Sequence, residues 1–358
     1  MGTIVERRRR DGTAAYLAQI SLTRKGQPRY TENQTFDRRP AATAWLKRRE
    51  YELKNGGPPE PKAPTLDRMI DKYIESSVTE IGRTKAQVLR SIKNYEIAKL
   101  ECDKITSQTI VAFAQELSDG REPSTVLNYL SHLQAIFSIA DAAWGARLDP
   151  KAMKDALAVT RRLGLTRKAR GRSRRPSLAE LDAILSYFEQ SAVRAPSSIP
   201  MTKVIVFALF STRRQEEITR AKWADLDHEG SRMLVRDMKN PGEKIGNDVW
   251  VDLPPEALRV IDAMPKSADQ IFPFNCKTIS ARFTRAIKVL GIDDLRFHDL
   301  RHEGVTRLFE IGYSVPKAAA VSGHRSWASL QGYTHVRQVG DKYKNWVWLD
   351  RVSTQAKL

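Results

Sequence analysis

The segment from residue 55 to residue 64 constrains the fold more than any other part of this sequence. It places four prolines and two glycines within ten residues. Proline lacks a backbone N–H and fixes φ, so a helix cannot run through this stretch. It forms a semi-stiff spacer between two folded parts. The chain is therefore multidomain, and its 358 residues suffice for two or three domains with sizeable cores.

The residues before the spacer, 1–56, have the pattern of a small module of strands and one helix. Residues 14–22 and 30–36 alternate as two strands joined by a turn at Lys25 and Gly26, and a helix follows over about 41–53.

Residues 65–162, after the spacer, have apolar side chains at helical spacing almost throughout. Two stripes carry this pattern: Leu66, Met69, Ile70, Tyr73 and Ile74, and then Val126, Leu127, Leu130, Leu133 and Ile136. Thr106 and Ser124 are candidate N-caps. The sequence predicts an all-helical domain of four or five helices without a catalytic constellation.

Residues 177–341 show a mixed, mainly helical pattern with a small antiparallel sheet. Helices are predicted over 178–188 and 202–210, strands over 233–237 and 248–253 around a turn that begins at Lys239, and further helices from Pro255.

Basic residues are concentrated in two places. The chain has 60 Lys or Arg against 42 Asp or Glu, a net charge of +18, which indicates a nucleic-acid partner before a membrane surface. Residues 1–56 carry 13 basic and 6 acidic side chains, and residues 161–175 carry eight basic and no acidic ones. The candidate DNA contacts are Arg7, Arg8, Arg9, Arg10, Arg167, Lys168, Arg170, Arg172, Arg174 and Arg175. The second run falls largely within a basic interdomain linker, 163–176. It contacts DNA phosphates or, alternatively, forms a solvated face.

Three features of the sequence limit the class of protein to which this chain can belong. The longest apolar run, residues 204–210, is far shorter than the roughly 20 residues that span a membrane. No apolar run follows the amino-terminal arginines, so no signal peptide is expected. Cys102 and Cys276 are too few for a disulfide framework or a thiolate metal site. We expect a cytoplasmic protein without a membrane span.

The first candidate site residue is Arg214. Residues 212–215 read Thr-Arg-Arg-Gln and fit a capping box, so a helix is predicted to begin at Thr212. Arg214 would then lie in the first turn, where an anion is favoured. Pairing with Glu216 or Glu217 is the alternative.

The second candidate group is the sequence Phe-His-Asp-Leu-Arg-His over residues 297–302. His298 and Arg301 are three residues apart, so they lie side by side on one helix face and suit an oxyanion. His298 and His302 also have the i, i+4 spacing of two zinc ligands. Asp299 is too short for the usual base, however, and no downstream ligand has the expected spacing.

The third group is His324, which follows Gly323, and Tyr333, nine residues later. A histidine after a glycine lies in a loop from which it can reach a ligand. A lone tyrosine is usually a core or surface residue, so its role depends on the context.

In this order and spacing, these residues resemble the tyrosine recombinases, the phage integrase family. The resemblance covers about residues 175–340 by motif. It implies that Tyr333 is the nucleophile that forms a 3′-phosphotyrosyl bond, that Arg214 and Arg301 clamp the phosphate, and that His298 assists proton removal. It further implies that His324 hydrogen-bonds the phosphate, that Lys239 is the general acid for the leaving 5′-oxygen, and that Glu217 buttresses the site.

Three positions leave the assignment open or depart from the family pattern. Lys244 lies on the same turn as Lys239, and Arg213 is adjacent to Arg214. Where the family usually has Thr-Gly before the first arginine, this chain has Ser211 and Thr212, which affects the turn more than the chemistry.

The resemblance also implies an architecture and partners. Residues 1–56 correspond to an arm-type DNA-binding module, 65–162 to a helical, SAM-like core-binding domain and 177–341 to the catalytic domain. The tail, 342–358, docks on a neighbouring protomer or packs on its own domain. The expected partner is double-stranded DNA, with a homotetramer on two duplexes and accessory DNA-bending or directionality factors, in the bacterial cytoplasm at the nucleoid.

The implied function is site-specific recombination, as the integrase of a phage or other mobile element. No metal, ATP or other cofactor is expected, since two guanidinium groups and imidazole donors stabilise the spread negative charge. Two alternatives stand beside it: a type IB topoisomerase, and a DNA-binding protein derived from a recombinase that no longer cuts.

Overall fold

The structure is a computed structural model that describes residues 2–9, 12–23, 29–56, 63–78, 81–169, 171–195, 199–238, 246–333 and 336–354. The chain divides into two compact units, Met1–Arg170 and Gly171–Leu358. The boundary falls within the basic segment 163–176.

The amino-terminal part of the first unit is a three-stranded antiparallel sheet covered by one helix. Its elements are β1 (Gly2–Arg8), β2 (Ala14–Leu22), β3 (Tyr30–Phe36) and α1 (Arg39–Gly56), with strand order β1-β2-β3. Ala18 of the central strand packs against Ala42 and Trp45 of the helix. The predicted β2 and β3 are confirmed, whereas β1 was not predicted, and the turn at Lys25 and Gly26 lies outside the described residues.

The rest of the first unit is helical, as predicted. The described residues contain seven α-helices rather than four or five, because two of them, of four and five residues, are too short to show a helical periodicity. Its α-helices within the described residues are α2 (Leu66–Glu75), α3 (Arg83–Ile92), α4 (Glu96–Lys99), α5 (Ser107–Ser118), α6 (Pro123–Phe137), α7 (Ala140–Trp144) and α8 (Pro150–Arg162). Thr106 caps α5 by accepting from the Thr109 N–H at 3.3 Å. The cap predicted at Ser124 is wrong, because Pro123 already occupies the first turn of α6 and Glu122 is the N-cap.

The second unit packs its helices around one apolar helix. In chain order its elements are α9 (Leu178–Arg194), α10 (Met201–Ser211), α11 (Gln215–Arg220), β4 (Leu226–Asp227), β5 (Arg232–Val235), β6 (Val249–Asp252), α12 (Pro255–Asp262), α13 (Cys276–Val289), α14 (Asp299–Glu310), α15 (Val315–Ser322) and α16 (Val347–Ser353). The strands form a small antiparallel sheet in the order β4-β5-β6, which confirms the predicted sheet.

Helix α10 is the centre of this unit because it is apolar on every side. All of its residues from Val204 to Ser211 are buried, and it packs against α9, α12, α14 and α16. Helix α14 approaches it closely at Gly304, where an added Cβ would lie 2.0 Å from the carbonyl oxygen of Leu209. This contact fixes the helix that carries Arg301 and His302, with His298 as its N-cap, against the end of α10.

Helix α14 carries buried carboxylates that bind arginines of the basic segment. Arg175 pairs with Glu303 at 2.6 Å and with Glu310 at 2.8 Å, and Arg172 pairs with Asp299 at 2.8 Å. Both arginines, predicted to contact DNA, therefore have carboxylate partners within the second unit.

The described residues after 341, 342–354, pack on their own unit. Trp346 and Trp348 are buried in the main core of the unit, and the Trp346 Nε1–H donates to Asp182 at 2.8 Å. In the single chain the segment packs on its own unit, and docking on a neighbouring protomer stays a prediction.

The helices within the described part of the chain include none that is both long and apolar enough to cross a membrane.

Candidate active site

The turn between α10 and α11 brings two arginines next to α14. Helix α10 ends at Thr212, whose φ of 58° is left-handed. This conformation is costly for a β-branched residue and is the one that the glycine usual in the family adopts freely. The capping-box prediction is therefore wrong: Thr212 ends α10, and α11 begins only at Gln215 with Arg214 as its N-cap. Glu217 supplies the cap, since its Oε2 accepts from the Arg214 N–H at 3.1 Å.

The two adjacent arginines have different surroundings. The Arg213 side chain is fully buried, and it donates to the carbonyl oxygens of Ser211 and Val321. The Arg214 side chain is 29% exposed and donates to Glu217 Oε1 at 2.8 Å. Of the two guanidinium groups, only that of Arg214 is accessible to a ligand.

Glu217 lies buried beneath these cations. Burial alone raises the pKa of its carboxyl, but Arg213, Arg301 and Arg214 outweigh burial and lower the pKa overall. The carboxylate is therefore charged, and it holds the Arg214 side chain in position.

Arg301, on α14, donates hydrogen bonds to the carboxyl ends of α10 and α15. Its Nη1 donates to the carbonyl of Thr212, and its Nη2 donates to the carbonyl of Ser322 at 3.0 Å. The same Nη2 lies 3.2 Å from His324 Nε2. Burial and the neighbouring Arg213 and Arg214 lower the pKa of Arg301 to about 9, so it remains a cation at neutral pH.

His324 is aimed at Arg301 by the end of α15. Gly323 ends this helix in the left-handed conformation, with a φ of 70°. Because a guanidinium has no acceptor, His324 Nε2 accepts from Arg301, and Nδ1 donates to Ser322 Oγ at 2.7 Å. Burial, with Arg301 and Arg214, lowers the pKa of His324 to about 3, in agreement with this neutral form.

Tyr333 is held by an aromatic contact and one hydrogen bond. Its ring stacks on Phe309, with centroids 6.1 Å apart and planes 4° apart. Its hydroxyl lies 2.6 Å from Nδ1 of His302. Burial raises the pKa of the Tyr333 phenol, and Arg301 opposes this rise.

His298, predicted to assist proton removal from the tyrosine, contacts the ring of His302, and its role stays a prediction. It is exposed, directly before α14, with its ring edge-on to that of His302 at 5.1 Å between centroids. Desolvation by the surrounding protein, with His302 and Arg301, lowers the pKa of His298 to about 4. The histidine that contacts the phenol is therefore His302, which sequence reasoning considered only as a zinc ligand.

The structure pairs Arg214 with Glu217 and Arg301 with His324 by direct contacts. Arg301 also binds the Thr212 carbonyl in the turn that carries Arg214, and Tyr333 contacts His302, the residue after Arg301. Lys239 and Lys244 lie outside the described residues, as do Arg10 and Arg170. Arg7, Arg8, Arg9, Arg167 and Lys168 are exposed, whereas Arg172, Arg174 and Arg175 are partly buried in ion pairs.

A zinc site at His298 and His302 finds no support in the geometry. The described part of the chain contains no group of three His, Cys, Asp or Glu side chains arranged to hold a metal ion.

Comparison with known proteins gives consistent matches over the second unit and beyond. Residues 177–339, which include every candidate residue from Arg214 to Tyr333, match the model of the phage integrase family. The shufflon-specific DNA recombinase of Escherichia coli is 29% identical over 295 residues, covering 78% of this chain and 71% of that protein. Tyrosine recombinase XerC of Corynebacterium glutamicum is 23% identical over 286 residues, covering 76% of this chain and 88% of that protein.

A solved structure has the same fold over most of the chain. The crystal structure of a lambda integrase tetramer bound to a Holliday junction aligns with a TM-score of 0.56 and 20% identity, covering 90% of this chain and 95% of that one. At this level of identity the likeness establishes the shared fold.

Proposed function

The chain belongs to the phage integrase family of tyrosine recombinases, and on that premise we propose that it is a site-specific DNA recombinase that cuts and rejoins strands through a 3′-phosphotyrosyl intermediate. The observation that carries the proposal is the convergence of Arg214, Arg301 and His324 beside a tyrosine whose hydroxyl meets an imidazole. Guanidinium groups and imidazole donors in a partly desolvated site stabilise a phosphoryl transition state.

In the proposed mechanism Arg214 and Arg301 bind the non-bridging oxygens of the scissile phosphate. Arg214 has an accessible guanidinium whose orientation is fixed by Glu217. Arg301 has one edge engaged by backbone carbonyls, so its position is set before DNA binds. In the free protein His324 Nε2 accepts from Arg301; His324 donates to the phosphate once the phosphate takes over this Arg301 N–H and Nε2 takes up a proton. Such preorganised charge lowers the barrier because it needs no rearrangement during the reaction.

The chemistry is a transfer between two esters. The Tyr333 oxygen attacks phosphorus, the bond to the 5′-oxygen breaks, and that oxygen takes a proton from a general acid, for which Lys239 is proposed. The phosphotyrosyl bond conserves the energy of the original ester. A free 5′-hydroxyl of another strand reverses the step, so neither ATP nor a metal ion is needed.

The same proposal extends to the other regions. Residues 1–56 act as an arm-type DNA-binding module and residues 65–162 as the core-binding domain. The exposed Arg7, Arg8, Arg9, Arg167 and Lys168 contact phosphates. We propose a homotetramer on two duplexes, assisted by DNA-bending or directionality factors. In this proposal the protein acts in the cytoplasm of a bacterial host, and its gene belongs to a phage or another mobile element.

A recombination assay tests the function and separates it from its alternatives. Two copies of the DNA that flanks the gene are placed on one supercoiled plasmid and incubated with wild-type protein or the Tyr333→Phe variant, without metal or ATP. Recombinant products that require Tyr333 support a recombinase. Relaxation of any plasmid without recombinants would support a topoisomerase, and specific binding without strand cleavage would support a non-cutting DNA-binding protein.

A further inference from the structure

We propose that Arg213 is a positioning residue, which holds the left-handed turn at Thr212 against the carboxyl end of α15. It thereby fixes the position of Arg214, at the end of this turn, relative to His324, which follows α15. The inference rests on the proposed recombinase function and deepens it, because these two side chains are proposed to bind one phosphate. From the sequence, Arg213 was considered only as an alternative to Arg214.

Arg213 is an unusual residue to find in a protein core. Its side chain is fully buried, and it is among the largest fully buried side chains of the described residues. Arginine is almost never fully buried unless it is paired, and a buried charge is costly unless hydrogen bonds and a counter-ion compensate it. A side chain that only filled space here would be apolar. The role of Arg213 therefore lies in its polar contacts.

The hydrogen bonds of Arg213 join two separate elements. Its Nε donates to the carbonyl oxygen of Ser211 at 3.0 Å, and its Nη2 donates to Thr212 Oγ1 at 3.3 Å. The same Nη2 donates to the carbonyl oxygen of Val321, in the last turn of α15. The guanidinium therefore connects the turn between α10 and α11 to the end of α15.

This turn needs an anchor because its backbone conformation is unfavourable. Thr212 has a φ of 58°, in the left-handed region that residues other than glycine avoid, β-branched ones most strongly. The Thr212 carbonyl also accepts from Arg301, so a change in this conformation would move a partner of a site residue. A glycine would adopt the conformation without help. Here a threonine stands in that place, and Arg213 binds its hydroxyl.

The charge of Arg213 supports Arg214 by a second path, through Glu217. The Nη1 of Arg213 has no hydrogen-bond partner among the described residues and lies 3.7 Å from Glu217 Oε2. Against burial, which raises the pKa of Glu217, Arg213 is the strongest of the three arginines that lower it, with Arg301 and Arg214. The resulting carboxylate accepts from Arg214 Nη1 at 2.8 Å. Loss of Arg213 therefore weakens both supports of Arg214.

The kinetic test is a double-mutant cycle at positions 212 and 213. Single-turnover cleavage of a nicked duplex from the DNA that flanks the gene is measured for wild-type protein, Arg213→Met, Thr212→Gly and the double variant. We expect Arg213→Met to cleave about 100-fold more slowly, because a misplacement of about 1 Å in a catalytic site has this effect. With glycine at position 212 the loss should be about 10-fold smaller, a usual coupling between residues in contact.

Two further variants make the result specific. Arg259→Met removes an exposed arginine that pairs with Asp350, and it should leave cleavage unchanged. Arg213→Lys keeps the buried charge but lacks the planar fork, so its loss should depend on residue 212 in the same way; it replaces Arg213→Met if that variant does not fold. The proposal is overturned if the Arg213 variants cleave at the wild-type rate, or if their loss is equally large with threonine and with glycine at position 212.

A measurement without DNA separates this proposal from the proposed function. In protein labelled with ¹³C at threonine, the Thr212 Cα and Cβ signals report the backbone conformation of the turn and are assigned by Thr212→Gly. We expect the Arg213 variants to move these signals away from their left-handed values, whereas Arg259→Met leaves them in place. If the wild type forms no covalent complex with DNA, the function has failed; if the Thr212 signals stay unmoved in the Arg213 variants, the assignment of Arg213 has failed.

Discussion

Replacing Gly304 by alanine should destabilise the second unit even though alanine is the better helix former. Gly304 lies in the middle of α14, against the backbone of α10. An added Cβ would be 2.0 Å from the Leu209 carbonyl oxygen, whereas ordinary contacts begin at 3.4 Å. The atom in the way is main chain, so no rotamer change relieves the overlap. The two helices must therefore separate by about 1.4 Å, the difference between these two distances.

The expected magnitude follows from two opposing effects. Overpacking a core typically costs about 1–3 kcal/mol, and a clash with backbone in the fully buried centre belongs at the upper end. The gain from replacing glycine by alanine within a helix is about 1 kcal/mol. The free energy of unfolding should therefore fall by about 2 kcal/mol, which lowers the melting temperature by about 4–8 °C for a unit of this size.

Differential scanning calorimetry of the full chain measures this change, and hydrogen exchange of α14 peptides assigns the transition to the second unit. Gly171→Ala is the matched control, because a Cβ there meets nothing within 4 Å; it should change stability by less than about 0.5 kcal/mol. An unchanged or raised melting temperature for Gly304→Ala would mean that helix propensity dominates and that the close approach of α14 to α10 is wrong.

Three further predictions concern the site and its supports. Arg301→Lys loses the paired hydrogen bonds to Thr212 and Ser322, so cleavage should fall by about 10²- to 10³-fold with a smaller loss of DNA affinity in a filter-binding assay. Glu303→Gln should lower the free energy of unfolding by about 2 kcal/mol at pH 7, because the partly exposed Arg175 and Lys342 lose their charge-assisted bonds to this carboxylate, while Arg175 keeps Glu310. Burial raises the pKa of Glu303 but Arg175 and Lys342 lower it overall, so the stabilisation is complete above about pH 5 and is lost as the pH falls through the lowered pKa; melting curves of variant and wild type should converge in acid. Trp346→Ala should lower the free energy of unfolding by about 3–5 kcal/mol, to the same extent at every protein concentration, since the tail packs in cis; a loss that depends on concentration would instead indicate docking between protomers.

Periodicity predicted the elements whose side chains bury one clear face. Strands β2 and β3 were predicted at their observed bounds, β2 from its apolar residues and β3, which is mostly exposed, from the predicted turn that joins it to β2. Strand β1 was missed because most of its residues are exposed and only Ile4 packs toward the small core, so its pattern is that of a basic tail. The site residues were identified from a family motif and not from periodicity. The order and spacing of Arg214, Arg301, His324 and Tyr333 along the chain match that motif.

Contacts between residues that are distant in the sequence explain the features that the sequence did not predict. The capping signal at Thr212 failed because Arg301 and Arg213 bind this residue from outside its own helix. The proximity of His302 to Tyr333 joins residues 31 positions apart, and no local pattern indicates it. The ion pairs of the basic segment could have been predicted from the sequence. Asp299, Glu303 and Glu310 have helical spacing and form a row of carboxylates along one face of α14, which suits a run of arginines.

The central claim is that Tyr333 forms a covalent bond with DNA. The direct measurement is mass spectrometry of the SDS-resistant complex formed on nicked duplexes from the DNA that flanks the gene, after digestion with trypsin and nuclease. The account predicts a nucleotide attached through a 3′-phosphate to the peptide that contains Tyr333, and no complex with Tyr333→Phe. A nucleotide on another residue, or a complex that persists in the Tyr333→Phe variant, would contradict it.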